Sequence, residues 1–423
     1  MKPPRGRRAA AIALAAVLLI ACFAAAHRKA VKGSSDFDAY YSAAGDLIAG
    51  RSPYREAVES PYLYPPVFAV LFTPFAALPY LPAHALWFAL NTVLFAASCR
   101  LLLALFPPGA SPATRVFAVF FAVATLADNL VMAQANIFVL FCLAAGLYLW
   151  RRADRPIPAG VLMALGASVK AAPYLLIVFF AVRREWKVLL GWALGATLWL
   201  VAVPGANLGF ERNLALLREW GSAVAFSEGP GLPAEPEKLR YYDDFAAEAG
   251  APERGAEAVR YQRRLQGLLN SRNQALDASL HRVLLRDVAG KANHEYLPVY
   301  TARRYRIVSP VQLPESTVRV IFAVLALALV ALSAALAIKD PAAGFSALIL
   351  TTILFTPVAR THVFALALVP VCFLASRAPS AAFALSAGAL YALSGIRAFQ
   401  AHGAGTAFLL VLWVWCFMAP KGR

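Results

Sequence analysis

Long apolar runs, separated by short charged or proline-rich breaks, recur along this 423-residue chain. Hydrophobic residues make up 60% of the sequence and charged residues only 15%, whereas a soluble domain is roughly 45–50% apolar. In lipid, a helix satisfies its own backbone hydrogen bonds, and roughly 20 apolar residues are enough to cross the hydrocarbon. The sequence therefore predicts an all-α polytopic membrane protein.

Basic residues cluster at the ends of the apolar runs and predict the orientation of the chain. The net charge of +17 therefore marks the cytoplasmic loops and favours contact with anionic lipids of the bilayer. It does not indicate binding of nucleic acid. With the clusters kept inside, the runs give about twelve spans and two cytoplasmic termini. The basic stretch 27–32 falls outside in this topology, against the positive-inside tendency. The cytoplasmic markers are 2–8, 151–155, 183–187, Lys339, Arg377 and Lys421.

Composition divides the chain into three predicted regions. Residues 1–204 form an N-terminal transmembrane module that includes the first external loop, and 315–423 form C-terminal transmembrane helices. Residues 205–314 are polar and carry both charge signs, so they are predicted to be a large external soluble helical loop. The segment is too long to be an idle connection. Within this loop, 256–287 has apolar residues at helical spacing, and the charged stretch 229–262 has the composition of an insertion.

The stretch Ser35–Tyr41 follows the first apolar run and places acids beside aromatic residues where a membrane meets water. A carboxylate here can act as a general base, since it can take a proton from a hydroxyl. The alternative is an interfacial amphipathic helix with solvated acids and an aromatic belt. Both interpretations predict a short helix over 36–50 that Gly50 ends.

The predicted topology places further polar side chains on the same outer face. Each has a structural alternative: amides can join helices, a lysine can snorkel, and an arginine or histidine can anchor an interface. Ionisable residues within membrane segments are usually functional. Because these side chains are predicted to lie on the same side of the membrane, we expect them to belong to one site. Cations there can hold a phosphate leaving group, and amides and tyrosines can bind a sugar. These side chains are Gln134, Asn136, Lys170, Arg360 and His362.

The sequence contains no motif for a nucleotide, a metal or a redox cofactor. The five cysteines lie inside apolar runs without metal-ligand spacing, which is typical of small buried hydrophobic residues. A Walker loop, a glycine-rich dinucleotide turn and a His-Glu-x-x-His helix are absent from the sequence. We therefore expect neither a cofactor nor a metal site.

Six short motifs, in this order, resemble those of glycosyltransferase family 87, the polyprenol-phosphate-mannose-dependent mannosyltransferases of the GT-C fold. Each motif is weak alone, but the shared order over most of the chain is fairly specific. The motifs are Asp36-Phe37-x-x-Tyr40-Tyr41, Tyr64-Pro65-Pro66, Gln134-x-Asn136, Lys170-x-x-Pro173, Asn273-Gln274-x-Leu276 with Arg282, and Thr356-Pro357 with His362.

The resemblance implies a GT-C fold and an inverting transfer of a hexose, with mannose as the expected sugar. The donor would be a polyprenyl-phosphate sugar, and the acceptor a glycan or glycolipid outside the cytoplasmic membrane of the cell. Asp36 would be the catalytic base, and His362 would help to hold the acceptor or the phosphate. Asp38 has no counterpart and is expected to be solvated. The implied substrate-binding residues are Tyr40, Tyr41, Tyr64, Gln134, Asn136, Lys170, Asn273, Gln274, Arg282, Arg360 and His362.

The sequence departs from the family pattern at four positions, which concern the acceptor and the sugar more than the reaction class. Ala133 replaces a glycine, Ala275 and Thr356 replace serines, and Val363 stands where a second histidine is common. Two rival functions remain open. A multi-pass transporter or flippase of lipid-linked substrates would line a path through the bilayer with charge. Another GT-C enzyme, such as a polymer ligase, would use a lipid diphosphate.

Overall fold

The structure is a computed structural model that describes residues 5–33, 35–54, 62–107, 112–222, 273–285, 311–356, 359–377 and 381–419. The described residues form helices and the turns between them, with one isolated bridge between Leu285 and Leu313. The predicted all-helical class is therefore confirmed for this part of the chain. The charged stretch 229–262 and most of the helix predicted over 256–287 lie outside the described residues.

The helices of the N-terminal region follow the predicted apolar runs closely. The run predicted to break near Lys170 does so, because one helix ends at Val169 and a short 3₁₀ turn, Ala172–Leu175, leads into the next. The helices are α1 Arg5–Val31, α2 Asp36–Ile48, α3 Pro66–Ala76, α4 Tyr80–Leu105, α5 Pro112–Met132, α6 Asn136–Arg151, α7 Pro156–Val169, α8 Leu176–Val182 and α9 Trp186–Thr197.

The helices of the remaining chain include those that flank the predicted external loop. The region boundary predicted after residue 204 falls inside a helix, and helical structure continues to Trp220. A 3₁₀ helix, Thr361–Ala367, precedes α15. These helices are α10 Val203–Leu208, α11 Phe210–Trp220, α12 Leu276–Leu284, α13 Glu315–Lys339, α14 Pro341–Phe355, α15 Leu368–Ser376, α16 Ala381–Ser394, α17 Arg397–Ala401 and α18 Ala404–Met418.

Within the described residues, five helical stretches are long and apolar enough to cross a membrane, judged by length and composition. Eight shorter apolar helices of 10–17 residues accompany them in the described chain. Large aliphatic side chains on the long helices are exposed, such as Val116 at 70% and Leu327 at 72%, which fits a surface that faces lipid. The structure thus has the character of a membrane protein, while the count of twelve spans stays a prediction. The five stretches are Ala13–Val31, Tyr80–Leu105, Pro112–Met132, Trp186–Leu208 and Glu315–Lys339.

Helix α2, which begins with Asp36, is formed as predicted, but it packs into the protein. Phe37 and Tyr40 pack against aromatic rings of α3 and α4, and Leu47 is buried as well. Helix α2 therefore does not lie on the surface as a simple interfacial helix. The Ser35 hydroxyl accepts from the backbone N–H of Phe37, and Gly50 ends the segment with φ of +75°, a value that glycine adopts without steric cost.

Asp38 is not the solvated residue that the sequence suggested. Its carboxylate accepts a hydrogen bond from the backbone N–H of Ser35 at 3.0 Å, which completes a capping box. The same carboxylate accepts from the Tyr80 hydroxyl at the start of α4. Asp38 therefore fixes the entry of α2 against α4, and this role explains a second acid in the stretch.

Close contact between α7 and α9 holds the helix that ends beside Lys170. A Cβ atom added at Gly160 or Gly191 would collide with the backbone of the facing helix. Small residues at both positions let the two backbones approach, which is the usual way in which membrane helices pack. The position of the Lys170 junction thus depends on a tightly packed helix pair.

Candidate active site

Asp36 lies at the N-terminus of α2, and its carboxylate Oδ2 accepts a hydrogen bond from Gln134 Nε2. Burial raises the pKa of Asp36 above its usual value, although the charges of Lys170, Arg360 and Lys29 and the Gln134 bond act in the opposite direction. A partly buried carboxylate with a raised pKa binds a proton more strongly than a solvated one. Asp36 therefore has the environment of a general base.

A sharp corner between α5 and α6 presents Gln134 to this carboxylate. Ala133 at the corner has φ of +53°, and its carbonyl accepts from Trp87 Nε1 at 3.0 Å. The backbone N–H of Gln134 donates to the carbonyl of Asn129 at 2.9 Å. The left-handed backbone at Ala133 explains why a glycine suits this position in the family motif, since only glycine adopts it without strain.

Asn136 links the same corner to Lys170. The Lys170 ammonium donates to Asn136 Oδ1 at 2.6 Å, and Asn136 Nδ2 donates to Asn129 Oδ1 at 3.1 Å. Burial lowers the pKa of Lys170 to about 8, and the negative charge of Asp36 partly offsets this effect. Lys170 is thus held as a cation near Asp36 and does not snorkel to the interface.

Tyrosines form one wall beside the cation. The Tyr40 and Tyr64 hydroxyls are 2.9 Å apart, and the Lys170 ammonium lies 5.6 Å from the centre of the Tyr64 ring. Burial raises the pKa of both tyrosines, and the charge of Asp36 raises both further. Both hydroxyls therefore stay protonated, and Tyr64 is partly exposed.

Tyr41 does not join this wall. Its hydroxyl donates to the carbonyl of Leu78 at 2.8 Å, and its ring packs edge-on against Tyr80. The contacts place Tyr41 on the side of α2 that faces the start of α4. Its described role is to anchor α2, as Asp38 does from the same helix.

The 3₁₀ segment after Ala359 brings a second cation and a histidine to the site. Arg360 is close enough to Asp36 to lower the pKa of that carboxyl. His362 is 9% exposed, lies within electrostatic reach of Lys170 and Arg360, and its carbonyl accepts from Asn129 Nδ2 at 3.0 Å. The segment that carries Arg360 and His362 therefore lies within electrostatic reach of Asp36 and Lys170.

The sequence analysis missed two charged residues of this site. Asp128, on α5, accepts a hydrogen bond from the Thr361 hydroxyl at 2.8 Å. Lys29, in the last turn of α1, acts electrostatically on both Asp36 and Asp128. Two signals were present: an acid inside an apolar run, and a basic residue where the positive-inside tendency disfavours one.

Asn273 and Gln274 have a different position from the residues around Asp36. Asn273 Oδ1 accepts from the backbone N–H of Ala359 at 3.0 Å. The Gln274 side chain donates to the carbonyl of Gln400 and accepts from the backbone N–H of Gly405, both at 2.9 Å. These bonds fasten the start of α12 to the chain just before Arg360 and to the start of α18.

Arg282 supports the same attachment from inside α12. It is fully buried, and its guanidinium donates to the carbonyl of Asn273 at 2.7 Å and to the Ser279 hydroxyl at 3.2 Å. Burial lowers the pKa of Arg282 to about 9. The bonds that the structure gives these three residues position the Arg360 segment, whereas direct contact with a substrate stays a prediction for them.

The described residues contain no group of three or more His, Cys, Asp or Glu side chains that could hold a metal ion. The charged groups of the site are instead two carboxylates and three cations within electrostatic reach of one another. Such a set can take up a proton and offset the charge of a phosphate. Its members are Asp36, Asp128, Lys29, Lys170 and Arg360.

Comparison with known proteins confirms the resemblance to glycosyltransferase family 87. The model of this family matches residues 62–240, a range that contains Tyr64, Gln134, Asn136 and Lys170. Two curated relatives, the Alpha-(1->3)-arabinofuranosyltransferase of two Mycobacterium tuberculosis strains, are each 30% identical over 167 residues. The match covers 37% of this chain and spans 38% of the length of those relatives. No solved structure matches the chain.

Proposed function

We propose that this chain is an inverting membrane glycosyltransferase that acts on the extracytoplasmic side of the cell membrane. It transfers a hexose, with mannose as the first candidate, from a polyprenyl-phosphate sugar to a glycan or glycolipid acceptor. The observation that carries the proposal is the Asp36 carboxylate, partly buried and surrounded by Lys170, Arg360 and Gln134. The family match and the glycosyltransferase relatives support the reaction class.

Asp36 is the group that takes the proton of the acceptor. Gln134 holds Oδ2, while Oδ1 makes no hydrogen bond to a residue in the described part of the chain. That oxygen is available to the acceptor hydroxyl. As the proton passes to Asp36, the acceptor oxygen forms its bond to the anomeric carbon of the donor sugar. Attack from the face opposite the leaving group inverts the configuration at that carbon.

Lys170 and Arg360 stabilise the leaving group. When the bond between the anomeric carbon and the phosphate oxygen breaks, its electron pair leaves with the polyprenyl phosphate. Cations fixed in a partly buried site stabilise this developing charge more than mobile ions in water do. Asn136 keeps the Lys170 ammonium in place. The Tyr64 ring beside that ammonium then contacts the sugar.

The sugar itself has a second candidate. The relatives that match this chain are named arabinofuranosyltransferases, so a pentofuranose on the same type of lipid carrier is the alternative to mannose. The two donors share the phosphate and the polyprenyl tail and differ only in the ring. Incubation of membranes with each labelled lipid-linked sugar, followed by mass spectrometry of the product, separates the two possibilities.

The Asp36→Asn variant tests the proposal directly. Loss of a general base lowers turnover by about 10²–10⁴-fold, so transfer from lipid-linked sugar should fall to near background. Gln134 can still donate to the amide oxygen, and the fold should therefore be retained. Size-exclusion chromatography and melting temperature check this point.

Glu211→Gln is the matched control, because Glu211 is an exposed acid on α11 outside the site. It removes one negative charge from the same protein and should leave transfer unchanged. Full activity of a well-folded Asp36→Asn protein would reject the assigned base. The transporter would be favoured instead if the wild-type protein transferred sugar from none of the lipid-linked donors and moved lipid across the membrane of vesicles.

A further inference from the structure

A cavity with arginine side chains in its lining lies at the end of the helices remote from Asp36. Its volume is about 480 Å³, and it forms where α4, α6 and α15 end and α14 begins. Helix α6 connects the two places, because its first residue is Asn136 and its last is Arg151. At 1.5 Å per residue, they are separated by roughly 23 Å. The cavity is therefore distinct from the candidate active site.

Three arginines face this cavity, and one carboxylate partly neutralises them. Arg377 pairs with Asp340 at 3.1 Å, and Asp340 also caps α14. The Arg152 guanidinium donates to the carbonyl of Ala104 at 2.9 Å, and Arg151 lies over the Trp150 ring at 5.2 Å. Among the described residues, no carboxylate lies within ion-pair distance of Arg151 or Arg152. The cavity thus has surplus positive charge.

The remaining lining of the cavity is apolar. Phe106, Leu147, Phe345 and Phe373 contribute to its walls, and the Phe106 and Phe373 rings pack edge-on, with centroids 5.9 Å apart. A small soluble anion would use the guanidinium groups and leave these side chains uncovered. An anion that carries an apolar tail would use both, since burial of apolar surface adds to the charge-assisted hydrogen bonds.

We propose that this cavity binds the phosphate group of an anionic membrane lipid. Guanidinium groups bind phosphate oxygens in a two-pronged geometry, and the aromatic and aliphatic wall takes the glycerol and the first part of the acyl chains. The volume is within the range of about 300–1,000 Å³ that is common for small-molecule sites. Clusters of basic residues at a membrane surface attract such lipids.

Occupancy of the cavity would join helices that carry the candidate active site at their other ends. Helix α6 begins at Asn136, and α15 continues the 3₁₀ segment that contains His362. A lipid that bridges the ends of α4, α6 and α15 binds only the folded arrangement. By mass action it therefore stabilises the folded protein.

Binding of phosphatidylglycerol to the purified full chain in neutral detergent tests the proposal. Native mass spectrometry should show bound phosphatidylglycerol, and the melting temperature should rise with its concentration. Phosphatidylcholine should have little effect. In Arg151→Gln/Arg152→Gln the affinity should fall by at least about fivefold per arginine, the factor that corresponds to about 1 kcal/mol at a membrane surface.

Arg100→Gln is the matched control, because Arg100 is an exposed arginine near the same end of α4 that does not line the cavity. An equal loss of affinity in this control, or equal binding of phosphatidylcholine, would overturn the proposal. Inorganic phosphate is the second probe. If it displaces phosphatidylglycerol at equal concentration, the apolar wall contributes nothing and the lipid assignment is wrong. If the double variant fails to fold, the exposed Arg151→Gln change alone applies the same criterion.

Discussion

At the scale of the residue, two opposing effects decide the protonation of Asp36 and Lys170. Burial favours the neutral form of each side chain, while their mutual attraction favours the charged pair. Burial is the larger effect for both, so the pKa of Asp36 rises and that of Lys170 falls to about 8. The interval of pH in which both are charged is therefore narrower than for solvated side chains.

We expect a bell-shaped dependence of sugar transfer on pH, because catalysis needs an ionised Asp36 and a protonated Lys170. The acidic limb should lie above the usual aspartate pKa of 3.8, and the alkaline limb near pH 8. A guanidinium remains charged throughout, so Lys170→Arg should move the alkaline limb upward by at least about one pH unit. Values of kcat/KM between about pH 4 and pH 10 measure both limbs. An alkaline limb that stays in place in Lys170→Arg would remove Lys170 from the mechanism.

At the scale of the element, the corner between α5 and α6 determines where the site can form. It turns the chain within a few residues, so that Asn129, Gln134 and Asn136 hydrogen-bond with one another or with His362 and Lys170. The turn depends on a left-handed backbone at Ala133. A side chain in that conformation costs roughly 1–2 kcal/mol, and the protein retains this cost at its candidate site.

Ala133→Gly should stabilise the protein by about 0.5–1 kcal/mol, because relief of the strained backbone exceeds the entropy that glycine adds to the unfolded chain. The melting temperature should rise, and transfer activity should be retained. Ala135→Gly is the control two residues away, since Ala135 has φ of −78°. That change should lower the melting temperature. An equal decrease of the melting temperature in both variants would show that the backbone at Ala133 is not strained.

Gln274→Ala should loosen the attachment of α12 to the start of α18, and with it the support that Asn273 gives to the segment before Arg360. It removes the bonds to Gln400 and Gly405 and leaves buried partners unsatisfied, which costs roughly 1–3 kcal/mol. We expect a lower melting temperature and a raised KM for the acceptor. The exposed amide Asn207, whose bond stays within its own helix, provides the control Asn207→Ala. An unchanged melting temperature in Gln274→Ala would show that these bonds carry little stability.

At the scale of the whole molecule, the sequence predicted the helix boundaries well and the contacts between distant helices poorly. Apolar runs and basic clusters locate the helices because lipid acts on every residue of a span. The motifs located Asp36, Gln134 and Lys170. The motifs could not locate Lys29 or Asp128, because the partners of these two residues lie on other helices. The spacing of residues along one helix does not indicate which other helices it contacts.

The side of the membrane on which Asp36 lies is still a prediction, and the position of Lys29 is relevant to it. The basic stretch 27–32 disagrees with the positive-inside tendency, but Lys29 acts on two carboxylates of the site, so its position has a local electrostatic reason. We expect a membrane-impermeant maleimide to label Lys32→Cys in intact cells, in a chain whose five cysteines are replaced. Lys187→Cys, at the opposite end of the helices, should be labelled only after the membrane is opened. The reverse pattern would place Asp36 in the cytoplasm and would end the proposal of an external transferase.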